Sequence, residues 1–365
     1  MAKERVDVLA YRQGLFETRE QAKRGVMAGL VIAAANGQRF DKPGEKIDAA
    51  TELRLKGEKL RYVSRGGLKL EKALQVFDIS VADRVTLDIG ASTGGFTDVM
   101  LQYGAKLVYA VDVGTNQLAW KLRQDERVVS MEQFNFRYAQ RTDFEQVPSF
   151  ASIDVSFISL SLVLPALHEI LAQDGQVVAL IKPQFEAGRE QIGKKGIIKD
   201  KKVHLTVLEK VIAFMMEAGF SVRGLDFSPI QGGQGNVEFL AYLEKSTEPQ
   251  SLDTELMTAV VEAAHKEFKK DRLEKIRRFV SDYDIGTQEE IVEHLRESGI
   301  TATQATVSRD IKELGIVKIP LKDNTYIYEL PKTMTSSLGL AENNILSCQV
   351  LGNMINLSLV PGSTA

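Results

Sequence analysis

"LDIGASTGGFTDVML", residues 87–101, decides the fold. An apolar run closes on Asp88-Ile89-Gly90, passes a glycine-rich turn and enters a helical pattern, so the stretch reads as strand, turn and helix. Gly90, Gly94 and Gly95 let backbone approach a ligand where a Cβ would block it; Ser92 and Phe96 share the turn. The spacing is not G-x-G-x-x-G and no P-loop lysine follows, which argues against a dinucleotide or triphosphate site. The next strand, "KLVYAVDVG" (106–114), ends in Asp112, a carboxylate suited to ribose hydroxyls. Together these features suit an adenosine-bearing ligand without a pyrophosphate, and S-adenosylmethionine is the natural candidate. A tight strand–helix turn also uses glycines for its own geometry, so the turn alone does not decide the ligand.

Working outward, "FASIDVSF" (150–157), "GQVVALIKPQF" (175–185), "GFSVRGLDFSPI" (219–230) and "NVEFLAYLEK" (236–245) supply further strands, with helical stretches between. Alternating strands and helices predict an α/β domain with a largely parallel, doubly wound sheet over residues 60–245. Ligands in such sheets sit at the carboxyl ends of the strands.

The chain of 365 residues is too long for one ordinary domain. Its 44% hydrophobic and 26% charged content and net charge of −3 are those of a soluble protein, not of a uniformly basic nucleic-acid binder. Residues 1–72 nevertheless carry 16 Lys/Arg against 10 Asp/Glu. A block this basic fits phosphate binding and also a solvated face. Cys348 is the only cysteine, which excludes an internal disulfide or a cysteine-based metal site. No apolar signal core opens the sequence and no apolar run is bilayer-length, so a cytoplasmic protein without membrane contact or metal is expected.

Residues 1–59 predict a small α+β module. Thr18 and Gln21 have capping-box spacing before a helix, "LVIAAANGQRF" (30–40) reads as strand with an Asn36-Gly37 turn, and more strand follows. "RVDVLAYRQGLFETREQAKRGVMAGLV" (5–31) resembles the S-four-type RNA-binding domain. That resemblance implies an RNA contact through Arg5, Arg19, Lys23 and Arg24, with Arg65 in the joining stretch "EKLRYVSRGG" (58–67). It also implies that this joint, with Tyr62, acts as a hinge.

Four polar residues lie in telling words: Lys69 in "VSRGGLKLEKAL", Asp154 in "SIDVSFISL", Lys182 in "ALIKPQF" and Glu238 in "GGQGNVEFL". Singly, each fits a surface lysine, a turn cap or a solvent-facing strand glutamate. In this order and context they resemble the catalytic tetrad of FtsJ-type ribose 2′-O-methyltransferases. With the basic N-terminal module, the resemblance narrows to the TlyA (hemolysin A) family of rRNA methyltransferases and spans residues 1 to about 270. It implies a Rossmann-like S-adenosylmethionine-dependent core, cytidine ribose in ribosomal RNA or ribosomal subunits as substrate, and Lys182 as base or hydroxyl-orienting group. Lys69 and burial would lower the Lys182 pKa, and Asp154 and Glu238 would raise it. His168 and His204 fall in helical patterns and read as packing or surface residues. The basic stretch "GREQIGKKGIIKDKKVH" (188–204) reads as a loop, solvated or covering RNA.

Residues 246–270 open on "STEPQS" and continue as a helix. Over 271–330, Thr287 and Glu290 cap one helix, and a second runs from about Thr303 to Leu314 and stops at Gly315. Val307, Ile311 and Leu314 share its buried face, while Gln304, Ser308, Arg309 and Lys312 point outward. A hairpin completes a winged helix-turn-helix. "TVSRDIKELG" (306–315) resembles the DNA-binding domain of the bacterial arginine repressor. This implies double-stranded DNA as a partner and keeps a transcriptional regulator open as a second function; a membrane-active hemolysin is a third. Residues 331–365 read as a cut-short remnant of the repressor's other domain, with one or two strands and an unpaired edge. "HKEFKKDRLEKIRRF" (265–279) reads as a helix running through a seam between two fused proteins.

Overall fold

The computed structural model describes residues 3–16, 18–34, 38–55, 61–193, 196–320, 325–331, 345–351 and 354–359. It divides into two units, Met1–Gly67 and Leu68–Ala365.

The first unit runs β1 (Lys3–Arg5), α1 (Val6–Arg12), α2 (Arg19–Met27), β2 (Val31–Ala33), β3 (Arg39–Phe40), β4 (Lys46–Asp48) and β5 (Leu53–Leu55). The Thr18 hydroxyl accepts the Gln21 N–H and starts α2, as its spacing predicts. β2 lies between β3 and β5, and β1 pairs with β4. Val6, Leu9, Ala22, Val26, Val31, Phe40 and Leu53 form the core. Gly25 is fixed by packing: a Cβ there would stand 2.2 Å from the Phe16 ring. β2 and β3 pair antiparallel, while the expected Asn36-Gly37 turn lies outside the described residues.

The second unit opens with α3 (Gly67–Val76). There follow β6 (Val85–Ile89), α4 (Gly95–Gln102), β7 (Leu107–Val111), α5 (Trp120–Arg123), β8 (Val128–Met131), β9 (Phe150–Ile153), α6 (Leu164–Ile170), β10 (Gln176–Ile181), α7 (Pro183–Glu186), α8 (Lys201–Glu217), β11 (Phe220–Phe227) and β12 (Phe239–Lys245). The strand order is β11-β12-β10-β9-β6-β7-β8. β8, β7, β6, β9 and β10 pair parallel, and β12 alone runs against its neighbours. Helices cover the sheet, so its central strands are buried on both faces and read as unbroken apolar runs. The strand order reverses between β6 and β9, which opens a crevice at their carboxyl ends.

α9 (Thr254–Asp282) is continuous for 29 residues. It contains neither glycine nor proline, so nothing breaks it at the seam. Met257, Val260, Val261 and Ala264 pack into the sheet's core, and Ile276 and Val280 into the core of the following module. That module holds α10 (Gln288–Glu297), α11 (Gln304–Glu313), β13 (Val317–Pro320) and β14 (Tyr326–Glu329). Thr287 and Thr303 cap α10 and α11 with their hydroxyls, and Gly315, at φ 66°, ends the second helix. Arg272 of α9 makes a forked pair with buried Asp310 of α11, at 2.6 and 3.1 Å. β15 (Ile345–Leu351) and β16 (Met354–Leu359) pair antiparallel with each other, so two strands form where one or two were expected.

His204 of α8 and His265 of α9 touch through Nδ1 and Nε2 at 3.0 Å. His204 is thus a packing residue, as its helical pattern implies. Burial and the neighbouring His265 pull its pKa down to about 4, and burial together with Lys201 lowers that of His265. A depressed histidine pKa favours folding above the unfolded value of about 6.5, and that stability is lost as pH falls toward 4. Denaturant titrations are expected to show up to about 1.4 kcal/mol lost per pH unit below 6.5 for this site, flattened in His204→Leu. Equal slopes in the two proteins would contradict the assignment.

Candidate active site

The sheet topology brings four distant residues to one edge. Asp154 follows β9 and Lys182 follows β10. Glu238 is the residue before β12, not within a strand as the sequence suggests. Because β12 is antiparallel to β10, with Phe239 opposite Ile181, its beginning lies where β10 ends. Lys69 comes from the first turns of α3.

They form a row of alternating charge. Lys182 Nζ stands 2.5 Å from Asp154 Oδ1, Asp154 Oδ2 lies 3.7 Å from Lys69 Nζ, and Lys69 donates to Glu238 Oε2 at 2.7 Å. Lys69, Lys182 and Glu238 are buried, while Asp154 keeps partial access. Burial pulls the Lys69 pKa down, but Asp154 and Glu238 outweigh it and hold the ammonium above its ordinary range. Lys69 therefore remains a cation and a bridge between two carboxylates. Lys182 touches a single carboxylate of the set and also donates to Ser156 Oγ at 3.0 Å. Glu238 pairs with Lys69, which in turn faces Asp154.

The glycine-rich turn has a different basis from the one its sequence suggests. Gly90 has φ 86°, and a Cβ there would lie 2.5 Å from the Asp154 carbonyl oxygen. Gly94 has φ 95°, and its Cβ would meet Leu122 at 2.3 Å. Both glycines are required by the chain's own packing. Gly95 and Phe96 open α4 and are buried in it. Ser92 and Asp112 present polar groups at the carboxyl ends of β6 and β7. Asp112 accepts the Ser92 N–H at 2.8 Å and the Gly114 N–H at 2.7 Å, which fixes its carboxylate and leaves lone pairs for vicinal hydroxyls. This arrangement, with a fixed carboxylate acceptor, fits the ribose hydroxyls of the adenosine part of S-adenosylmethionine.

Several contributors are not evident from sequence. Asp88 is fully buried and accepts the Thr97 and Ser152 hydroxyls at 2.7 and 3.0 Å, locking β6 to α4 and β9. Burial raises its pKa to about 7, against those hydrogen bonds. A lone aspartate inside an apolar strand is its signal. Phe157 is 90% exposed at φ 63° beside Ser156, and its ring lies 4.9 Å from that of Phe185. An exposed aromatic in this backbone region is unusual.

In the first unit, Arg5 makes a forked pair with buried Asp7 at 2.9 and 3.0 Å, and Arg19 approaches the same carboxylate at 3.6 Å. Lys23, Arg24 and Arg65 are exposed. On α11, Gln304, Arg309 and Lys312 are exposed and Ser308 is half-buried, with Gln304 donating to Glu289 at 2.8 Å. In the basic stretch, residues 194–195 lie outside the described residues, and Asp200 caps α8 from Lys201 onward. The expected loop is therefore shorter than the stretch. No helix among the described residues is long and apolar enough to cross a membrane.

The FtsJ-like methyltransferase family matches residues 62–245, and the arginine repressor DNA-binding domain matches residues 268–335. The chain is 59% identical over 274 residues to the putative rRNA methyltransferase YqxC of Bacillus subtilis, covering 74% of this chain and 97% of that protein. It is 41% identical over 245 residues to the 16S/23S rRNA (cytidine-2′-O)-methyltransferase TlyA of Mycobacterium tuberculosis, covering 67% and 91%. A solved structure of a putative hemolysin from Streptococcus thermophilus superposes with a TM-score of 0.59 at 74% identity, over 74% of this chain and 98% of that one. The chain belongs to the FtsJ-like methyltransferases, in the TlyA family, and carries an arginine repressor DNA-binding domain at its C-terminal end.

Proposed function

We propose that this chain methylates the 2′-hydroxyl of a ribose, that of a cytidine, in ribosomal RNA. The observation that carries the reading is the Lys182–Asp154–Lys69–Glu238 row at the carboxyl edge of the sheet. When bound, S-adenosylmethionine supplies a methyl group already activated on a sulfonium, so the protein's task is to hold the hydroxyl in line and manage its proton. Asp112 and the Ser92 turn hold the adenosine side. Asp154 and Ser156 aim Lys182 at the ribose oxygen, where it orients the hydroxyl and, once it has given up one of its own protons to solvent, takes the hydroxyl proton as a neutral amine. Lys69 stays charged and keeps Asp154 and Glu238 from repelling each other. Phe157 gives the target base a face to stack on, an interaction worth about 1–3 kcal/mol. Arg5, Arg19, Lys23, Arg24 and Arg65 extend the RNA contact, and such a substrate places the protein in the cytoplasm. The test is transfer of labelled methyl groups to ribosomal RNA or ribosomal subunits by the purified chain; labelling of neither rejects the reading.

A second reading concerns α11. Its capped, exposed face carrying Gln304, Ser308, Arg309 and Lys312 suits double-stranded DNA. Duplex binding is expected to weaken about 5- to 150-fold in Arg309→Ala, a loss of roughly 1–3 kcal/mol, measured at fixed salt. Binding unchanged by that substitution would place the DNA elsewhere.

A further inference from the structure

The loops after β9 and β10 carry Asp154 and Lys182, and Lys182, Phe185 and Glu186 of the second reach the first. Lys182 meets Asp154 and Ser156, the Phe185 ring meets that of Phe157, and Glu186 holds the backbone just beyond. Glu186 is 4% exposed. One carboxylate oxygen accepts the Ser159 hydroxyl at 2.7 Å and the other accepts the Leu160 N–H at 2.7 Å. Its own carbonyl accepts from Lys210 of α8 at 2.9 Å, which fixes the end of α7 from the other side. Nothing in the methyl-transfer chemistry uses this buried carboxylate.

Glu186 instead holds the backbone that follows Phe157. Phe157 sits two residues before Ser159 with its backbone in the left-handed region and its ring in solvent. Neither is a resting preference of phenylalanine. Such a residue persists only where its surroundings over-determine it. Here a ring on one flank and a forked carboxylate on the other do so.

We propose that Glu186 is a positioning residue for methyl transfer: it clamps Ser159 and Leu160 so that Phe157 stands ready for the target base. The proposal rests on the reading of Phe157 as a base platform. Glu186→Ala removes both hydrogen bonds and releases the loop. Glu186→Gln preserves the clamp, because its oxygen accepts from Leu160 and its amide donates to the Ser159 oxygen.

The test is a double-mutant cycle on the full chain. It reads single-turnover methyl transfer to ribosomal RNA, with S-adenosylmethionine affinity and melting temperature measured alongside. Glu186→Ala is expected to slow transfer by about ten- to a hundredfold with cofactor affinity unchanged, and Glu186→Gln by less than about threefold. In a Phe157→Ala background the Glu186→Ala effect is expected to shrink below about threefold. If Glu186→Ala does not fold, Ser159→Ala takes its place, with a smaller loss and the same coupling to Phe157. A full Glu186 effect in both backgrounds would overturn the clamp and leave the platform standing. Unchanged transfer by Phe157→Ala alone would overturn the platform, and the clamp with it.

Discussion

Methyl transfer to ribosomal RNA is expected to fall by roughly 10²- to 10⁴-fold in Lys182→Ala, with the fold intact. Both halves of that expectation come from the geometry. Lys182 follows β10 with its nitrogen on Asp154 and Ser156 and is the cation of the row not bracketed by two carboxylates. Its removal does not orphan Asp154, which still faces Lys69 at 3.7 Å. The variant therefore loses a group that meets the substrate without leaving an uncompensated buried charge. Lys182→Arg separates two roles. A guanidinium orients a hydroxyl but does not give up its proton at ordinary pH. If Lys182 takes the proton, the arginine variant stays as slow as the alanine variant; if it only orients, much of the rate returns. Single-turnover rates beside melting curves decide this, and an alanine variant within about threefold of the parent would exclude Lys182 from the reaction.

Lys69→Met is expected to damage stability as well as rate. Among the described residues Lys69 alone bridges Asp154 and Glu238, and Glu238 is 2% exposed. Taking away the shared cation leaves a buried carboxylate unpaired, a change that costs about 3–5 kcal/mol. Lys69→Met with Glu238→Gln should recover much of that loss, because the glutamine needs no counter-charge. Recovery of stability without recovery of rate would show that the row serves catalysis as well as folding. Urea unfolding of the single and double variants provides the measurement; a loss below about 1 kcal/mol with no recovery would mean that the cation bridge is not as drawn.

Much of this arrangement is legible in the amino-acid sequence. The central strands read clearly because burial on both faces makes them uniformly apolar, and the switch from strand to helix in residues 87–101 is local. α2, α10 and α11 begin at threonines whose hydroxyls cap them, and α9 runs through the seam because no residue in it stops a helix. The tetrad stands out through the words around it, not through any periodicity. The rest is set by contacts between distant segments. Glu238 reaches the site because β12 runs backwards, a property of topology. Gly90 and Gly94 look like ligand-cradling glycines, yet the Asp154 carbonyl and Leu122 require them. Asp88, Glu186 and Asp310 are buried acids whose partners lie from 9 to 64, 26 to 27 and 38 residues away. α1 gives little warning in sequence, because seven residues, two of them valines, carry a weak helical signal and Arg5 provides no side-chain cap.

The methyl group is expected on a ribose oxygen. Ribosomal RNA incubated with the chain and isotopically labelled S-adenosylmethionine can be digested to nucleosides and weighed by mass spectrometry. Label is expected in 2′-O-methylcytidine, carried on the sugar fragment, and formed at least about a hundredfold more slowly when Lys182→Ala replaces the parent. Label on a base fragment, or transfer by Lys182→Ala within about threefold of the parent rate, would contradict ribose methylation through Lys182.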